Sequence, residues 1–263
     1  MAEYVFPIPQ WIFLVAAAVA GLELGGIATV FIHRWIAEQP IFRPFGSTCP
    51  YCENRLEWRD TIPLISYLLL RGRCRHCNMP IGPRYVLTEL ACCALSVALA
   101  HQFGPTLSWL VYLVFGVMLA SASFIDFETF LLPDRITLGG TALALGAGFV
   151  LPRPGWEQAV LGALVGAGMF WILQQGYKLL RGQDGLGTGD VKLMGFIGAI
   201  VGVQGLPFTI LAGGIAGLAG SLAYMVRPGA KGVQTRVPFG PFLSLGCLLY
   251  LLLGPSITLW WRY

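Results

Sequence analysis

Apolar residues run along this chain in long stretches, and polar residues gather in the gaps between them. A helix needs about 20 apolar residues to cross hydrocarbon. Trp11–Trp35, Arg84–Phe103, Leu107–Ile125, Ile136–Leu151 and Ala159–Leu180 each read as one such helix. Val191–Val226 is too long for a single span, and Gln204-Gly205-Leu206-Pro207 predicts a break that makes two. Phe239–Trp261 supplies the last. The pattern predicts an all-α polytopic membrane protein with about eight transmembrane helices. It divides the chain into a first transmembrane helix (1–35), a polar loop domain (36–83) and a transmembrane helix bundle (84–263).

Composition agrees. The chain has 263 residues, of which 56% are apolar and only 11% charged; a soluble domain carries roughly a quarter charged residues. The formal net charge of +4 does not point to nucleic acid, because the basic residues lie between spans rather than in one cluster. Met1–Gln10 has no Lys or Arg and no clear cleavage site, so the first span is expected to be retained. With the N-terminus outside, the long loop, the Asp126 loop, the Gly185 turn and the Arg227 loop all face the cytoplasm. These regions and their flanks then hold every Lys and Arg of the 17 except Arg153 and Arg262, as the positive-inside rule requires.

The long loop carries Cys49-Pro50-Tyr51-Cys52 and Cys74-Arg75-His76-Cys77, separated by residues 53–73. Four thiolates on two tight turns suit tetrahedral zinc in a closed, structural site. The expected ligands are Cys49, Cys52, Cys74 and Cys77, with His76 a solvated loop residue. A pair of redox dithiols fits less well, since no strand–helix redox unit surrounds them. Cys92, Cys93 and Cys247 lie in apolar runs, where a thiol is a small hydrophobe.

Two acids sit where charge is costly. Asp126 ends the third apolar run, and Asp190 follows the glycine-rich turn Gly185-Leu186-Gly187-Thr188-Gly189. An ionisable residue beside a membrane span is a functional hypothesis by default. Two carboxyls close enough to share one proton can activate water against a peptide bond. Spacing alone leaves the other reading open, in which both acids cap helices. Asp134 reads as the N-cap of the fourth span, and Asp184 as hydrated mid-turn. The glycines do not form a dinucleotide fingerprint, which requires a preceding strand.

Taken together, Gly187-Thr188-Gly189-Asp190 with Lys192, Asp126 followed by Leu132-Pro133-Asp134, the two cysteine pairs, and Pro238-Phe239-Gly240-Pro241 resemble the bacterial type IV prepilin leader peptidases, which are GxGD-type membrane aspartyl proteases. Thr61–Tyr67, Leu70–Cys74, Pro83-Arg84-Tyr85 and Glu89 fit that family's loop. The resemblance implies an enzyme that cuts the leader from prepilins and pseudopilins at the cytoplasmic face of the inner membrane. Asp126 and Asp190 would be its catalytic dyad, the four cysteines its zinc ligands, and S-adenosylmethionine the donor for N-methylation of the new terminus. No residue is assigned to that donor. Prepilins or pseudopilins and the lipid bilayer are the implied partners, and nucleic acid is not one. Thr29 stands where the family usually has Asn, and Glu23 is an additional carboxylate; both bear on methylation more than on proteolysis. The rival classes are a transporter using the aspartates as an ion site and a structural subunit needing neither.

Overall fold

The computed structural model describes residues 9–40, 49, 51–182, 185–225 and 237–260, with the backbone alone at 224–225 and 255–260. It is all-helical: among the described residues there is no strand, only an isolated bridge between Arg73 and Pro80. The helices are α1 (Gln10–Ile36), α2 (Ile65–Leu69), α3 (Arg84–Phe103), α4 (Leu107–Thr129), α5 (Asp134–Ala147), α6 (Trp156–Arg181), α7 (Thr188–Met225) and α8 (Gly240–Trp260). Among the described residues, α1, α3, α4, α6 and α7 are long and apolar enough to cross a membrane. The described apolar part of α8, Gly240–Gly254, is shorter. At 14 residues, α5 reaches only about 21 Å, against roughly 30 Å of hydrocarbon. The protein is a multi-pass membrane protein.

Two compact units make up the chain, Ala2–Phe124 and Ile125–Tyr263, and α4 runs from the first into the second. In the first unit α1 packs on α3. The buried residues of α1, among them Phe13, Ala17, Gly21, Gly25 and Ile32, recur about every four positions and so share one face. Small residues let the backbones close: a Cβ on Gly21 would lie 2.7 Å from the Cys92 carbonyl oxygen. Ser96 Oγ donates to the Ala17 carbonyl at 2.6 Å. Trp109 caps this contact, its Nε1 donating to the Ser96 carbonyl at 3.2 Å and its ring meeting Phe13 edge-on at 4.9 Å.

The second unit is built around the first half of α7. Residues 193–202 are buried without interruption. A helix apolar on all sides belongs in the middle of a bundle. Helices α5, α6 and α8 all pack on α7, with α8 against its second half, where a Cβ on Gly213 would lie 2.9 Å from the Phe242 carbonyl oxygen. Gly162 of α6 and Gly198 of α7 face each other so closely that a Cβ on either would fall on the other's carbonyl oxygen. The predicted break in α7 exists but lies earlier, at Gly202 (φ 68°, ψ 176°), while Pro207 sits inside the second segment. Only glycine adopts that backbone readily. The helix continues through Pro207, so the glycine and not the proline ends the first segment.

The expected hydrated position of Asp184 and most of the Arg227 loop fall outside the described residues.

Candidate active site and metal site

Asp126 lies in the last two turns of α4 and is buried, with 5% of its surface exposed. The backbone N–H of Gly240, the first residue of α8, donates to its Oδ2 at 3.1 Å. A helix N-terminus carries unpaired N–H groups and partial positive charge, so it favours a carboxylate there. Phe127 supports the junction, its ring meeting Phe242 edge-on at 6.4 Å. Asp190 lies in the first turn of α7. Its carboxylate accepts a hydrogen bond from the Gly187 amide, which satisfies one free donor of that turn in the manner of a capping box. The capping reading of Asp190 therefore describes part of what it does. It does not describe all, because Asp126 and Asp190 line one cavity of about 200 Å³ and are within electrostatic reach of each other.

The glycines beside these acids are small for separate reasons. A Cβ on Gly187 would come within 3.2 Å of Asp190 Oδ2, and one on Gly240 within 2.8 Å of Asp126 Oδ2. On Gly189 it would sit 3.1 Å from the Leu132 Cβ. Leu132 also bounds Gly240, at 3.2 Å from that position, so one leucine side chain wedges between the starts of α7 and α8. Sequence reasoning noted Leu132 without assigning it this packing.

It also missed two residues of α6. Gln174, buried, donates from Nε2 to the Leu186 carbonyl at 2.8 Å, and Tyr177 lies against Gly185. Together they hold the glycine-rich turn that presents Asp190. The available signal was an amide side chain inside an otherwise apolar run.

Asp134 does not act as an N-cap. Pro133 occupies that position and no side chain caps α5. Asp134 stands one residue further in, and Lys192 Nζ of α7 reaches its Oδ1 at 2.7 Å. The opposite charge draws the carboxylate away from its own helix end. Asp134 and Lys192 both line the acid cavity.

In the first unit, the sulfurs of Cys49, Cys52, Cys74 and Cys77 all lie within 4.8 Å of one another. Cys49 and Cys77 are 3.8 Å apart, which is about the edge of a tetrahedron with 2.3 Å metal–sulfur bonds. The same turn is used twice. Glu53 N–H donates to the Cys49 carbonyl at 2.9 Å, and Asn78 N–H to the Cys74 carbonyl at 3.0 Å. Glu53 and Asn78, each following the second cysteine of its pair, share left-handed φ values of 56° and 57°. The donor set and its geometry fit a metal ion. Amides of Cys77 and His76 pull the Cys74 thiol down to about 6, toward the thiolate a metal needs, while burial pushes Cys77 up to about 12. His76 is exposed and lies outside the cluster. Arg75 secures the second turn, donating to Asp60 from Nη2 at 2.6 Å and Nε at 3.0 Å.

Thr29 is buried and donates to the Gly25 carbonyl of its own helix at 2.8 Å. Glu23 is exposed and within electrostatic reach of Glu89.

A multi-spanning helical protein with two carboxyls on one cavity at helix ends defines the class: an integral membrane protein with a paired-acid site. Residues 19–103 match the model of the Bacterial Peptidase A24 N-terminal domain, and residues 113–222 that of the Type IV leader peptidase family. The chain is 35% identical to the prepilin leader peptidase/N-methyltransferase of Aeromonas hydrophila, covering 95% of this chain and 94% of that protein. It is also 35% identical to the protein of that name from Burkholderia pseudomallei (strain 1026b), covering 96% and 89%, and to that from Stutzerimonas stutzeri, covering 94% and 92%. No solved structure matches. The chain belongs to the type IV leader peptidase family.

Proposed function

We propose that this protein is a membrane aspartyl endopeptidase that removes the leader from type IV prepilins or pseudopilins at the cytoplasmic face of the bacterial inner membrane. Asp126 and Asp190 are its catalytic pair. The observation that carries this reading is their meeting on one cavity, each held by a backbone amide at a helix start. Two adjacent carboxyls retain one proton between them. The ionised member takes a proton from a water molecule, whose oxygen attacks the scissile carbonyl carbon. The protonated member hydrogen-bonds the carbonyl oxygen as charge develops there. Proton return to the amide nitrogen then releases the leader as the C–N bond breaks. The orientation rests on the distribution of Lys and Arg.

The four cysteines hold a zinc ion, which fixes the loop and has no open position for chemistry. The names of the relatives support a second activity, N-methylation of the new terminus with S-adenosylmethionine as donor.

Purified enzyme in lipid, incubated with a candidate prepilin, gives a product whose N-terminus and mass report both steps. A product truncated at the leader junction is expected, heavier by one methyl group when the donor is supplied. An intact substrate sinks the peptidase reading. A truncated product that never gains the methyl group leaves a peptidase alone.

A further inference from the structure

Between its two cysteine turns the loop of the first unit returns to the level of the helices. Arg84, the first residue of α3, meets His33 near the end of α1, Nη2 to Nδ1 at 3.1 Å, and the apolar part of both helices begins below them. Gly26 lies seven residues further down α1 (33 − 26) and Glu89 five residues further into α3 (89 − 84). At 1.5 Å per residue these depths are roughly 10 Å and 7.5 Å. Both positions hold the same piece of loop. Leu64 N–H donates to Glu89 Oε2 at 2.9 Å, and Pro63 Cγ is 3.4 Å from the place of a Cβ on Gly26.

The helix α2 starts at the next residue and turns its apolar side chains outward. Ile65 is 55% exposed, Leu68 73% and Leu69 76%; upstream, Trp58 is 71% exposed. The Arg59 guanidinium lies 5.5 Å from the centre of the Trp58 ring, and Arg71 follows α2, exposed. Bare aliphatic side chains in so short a helix are unfavourable in water. They are favourable at the depth that Glu89 and Gly26 impose, where interfacial helices bury an apolar face by about 5–10 Å. Tryptophan and arginine beside them suit the headgroup layer, and anionic headgroups attract the positive charge.

We propose that the Trp58–Arg71 segment is a membrane-interface anchor. Its Trp58, Ile65, Leu68 and Leu69 side chains enter the boundary between headgroups and acyl chains, and Arg59 and Arg71 meet anionic headgroups. The bilayer is then a direct ligand of the cysteine loop, which is moored to it rather than swinging in water.

The test places a genetically encoded fluorescent residue at position 65 or 69, in separate variants, in the full protein at one copy per lipid nanodisc containing phosphatidylglycerol. A third variant carries it at 211 on the exposed side of α7, as the lipid-facing reference. Acyl chains brominated near the headgroup should remove at least about half as much emission at 65 and 69 as at 211, with aqueous iodide having a smaller effect. Stronger quenching by iodide than by brominated lipid at both positions overturns the anchor. So does protection from both quenchers, which means that protein covers this face. Two separate positions guard against a probe that disturbs α2.

Discussion

The acid cavity and the cysteine cluster are both small constellations of ionisable groups, and they are assembled in opposite ways. Each cysteine pair is local. Two short turns of the same conformation point two sulfurs inward, and Glu53 and Asn78 repeat the same left-handed step. The acid pair is non-local. Asp126 and Asp190 meet because the ends of α4, α5, α7 and α8 converge, and convergence requires that Gly187, Gly189 and Gly240 stay bare. The lesson is that a locally built site tolerates change elsewhere in the fold, whereas a site built at helix junctions depends on the packing of residues that carry no chemistry.

The largest effect that tests this contrast is at the acids. Asp126→Asn and Asp190→Asn should each lower the cleavage rate by about 10³-fold or more, with membrane insertion unchanged, as measured by leader removal per unit of inserted enzyme. Full activity in either variant ends the dyad assignment. Next comes a residue with no functional group. Gly240→Ala puts a methyl group where the Asp126 oxygen lies at 2.8 Å, and displacement of that carboxylate should cost on the order of 10²-fold in kcat/KM. A loss below about threefold would show that the junction yields more easily than its geometry implies.

The metal site should respond differently. Cys74→Ser should abolish a stoichiometry of about one zinc per chain and loosen the loop in hydrogen exchange, with little change around α7. Equal loosening of both regions breaks the distinction drawn here. Within the same loop, the Arg75 guanidinium holds the Asp60 carboxyl below the usual carboxylate range. A depressed folded pKa stabilises above the unfolded value near about 4 and loses that contribution as pH falls through the folded value. Asp60→Asn should therefore flatten the acid side of the loop's stability–pH curve, and an unchanged curve refutes the pair's role. The smallest effect belongs to Lys192 and Asp134, whose side chains are 35% and 59% exposed. Lys192→Gln should change stability in a denaturant titration by under about 1 kcal/mol.

The same contrast explains what was legible in the sequence. Fold class followed from hydropathy, and the cysteine cluster from spacing, because both depend on neighbours along the chain. The two acids stood out because charge beside an apolar run is rare, yet spacing could not separate a catalytic role from capping. The structure shows Asp190 doing the local job and facing the cavity as well. Asp134 was misread because a carboxylate before a helix has a strong local preference, which a lysine 58 positions away overrides. The break in α7 is expected at Gln204-Gly205-Leu206-Pro207, and the structure puts it two residues earlier, where the glycine at 202 carries the bend. Gln174 left a signal, an amide inside an apolar run, but its partner and the packing roles of Tyr177 and Leu132 exist only once α6, α7 and the Leu132 turn are side by side.

The short helix α5 has a consequence for the solvent. It begins at Asp134, on the cavity wall, and extends some 9 Å less than the hydrocarbon is thick. A stretch that short is met by a thinner bilayer, by flanking side chains reaching outward or by a neighbouring helix that shields it, so the acid cavity opens beside the place where the apolar layer is least well matched.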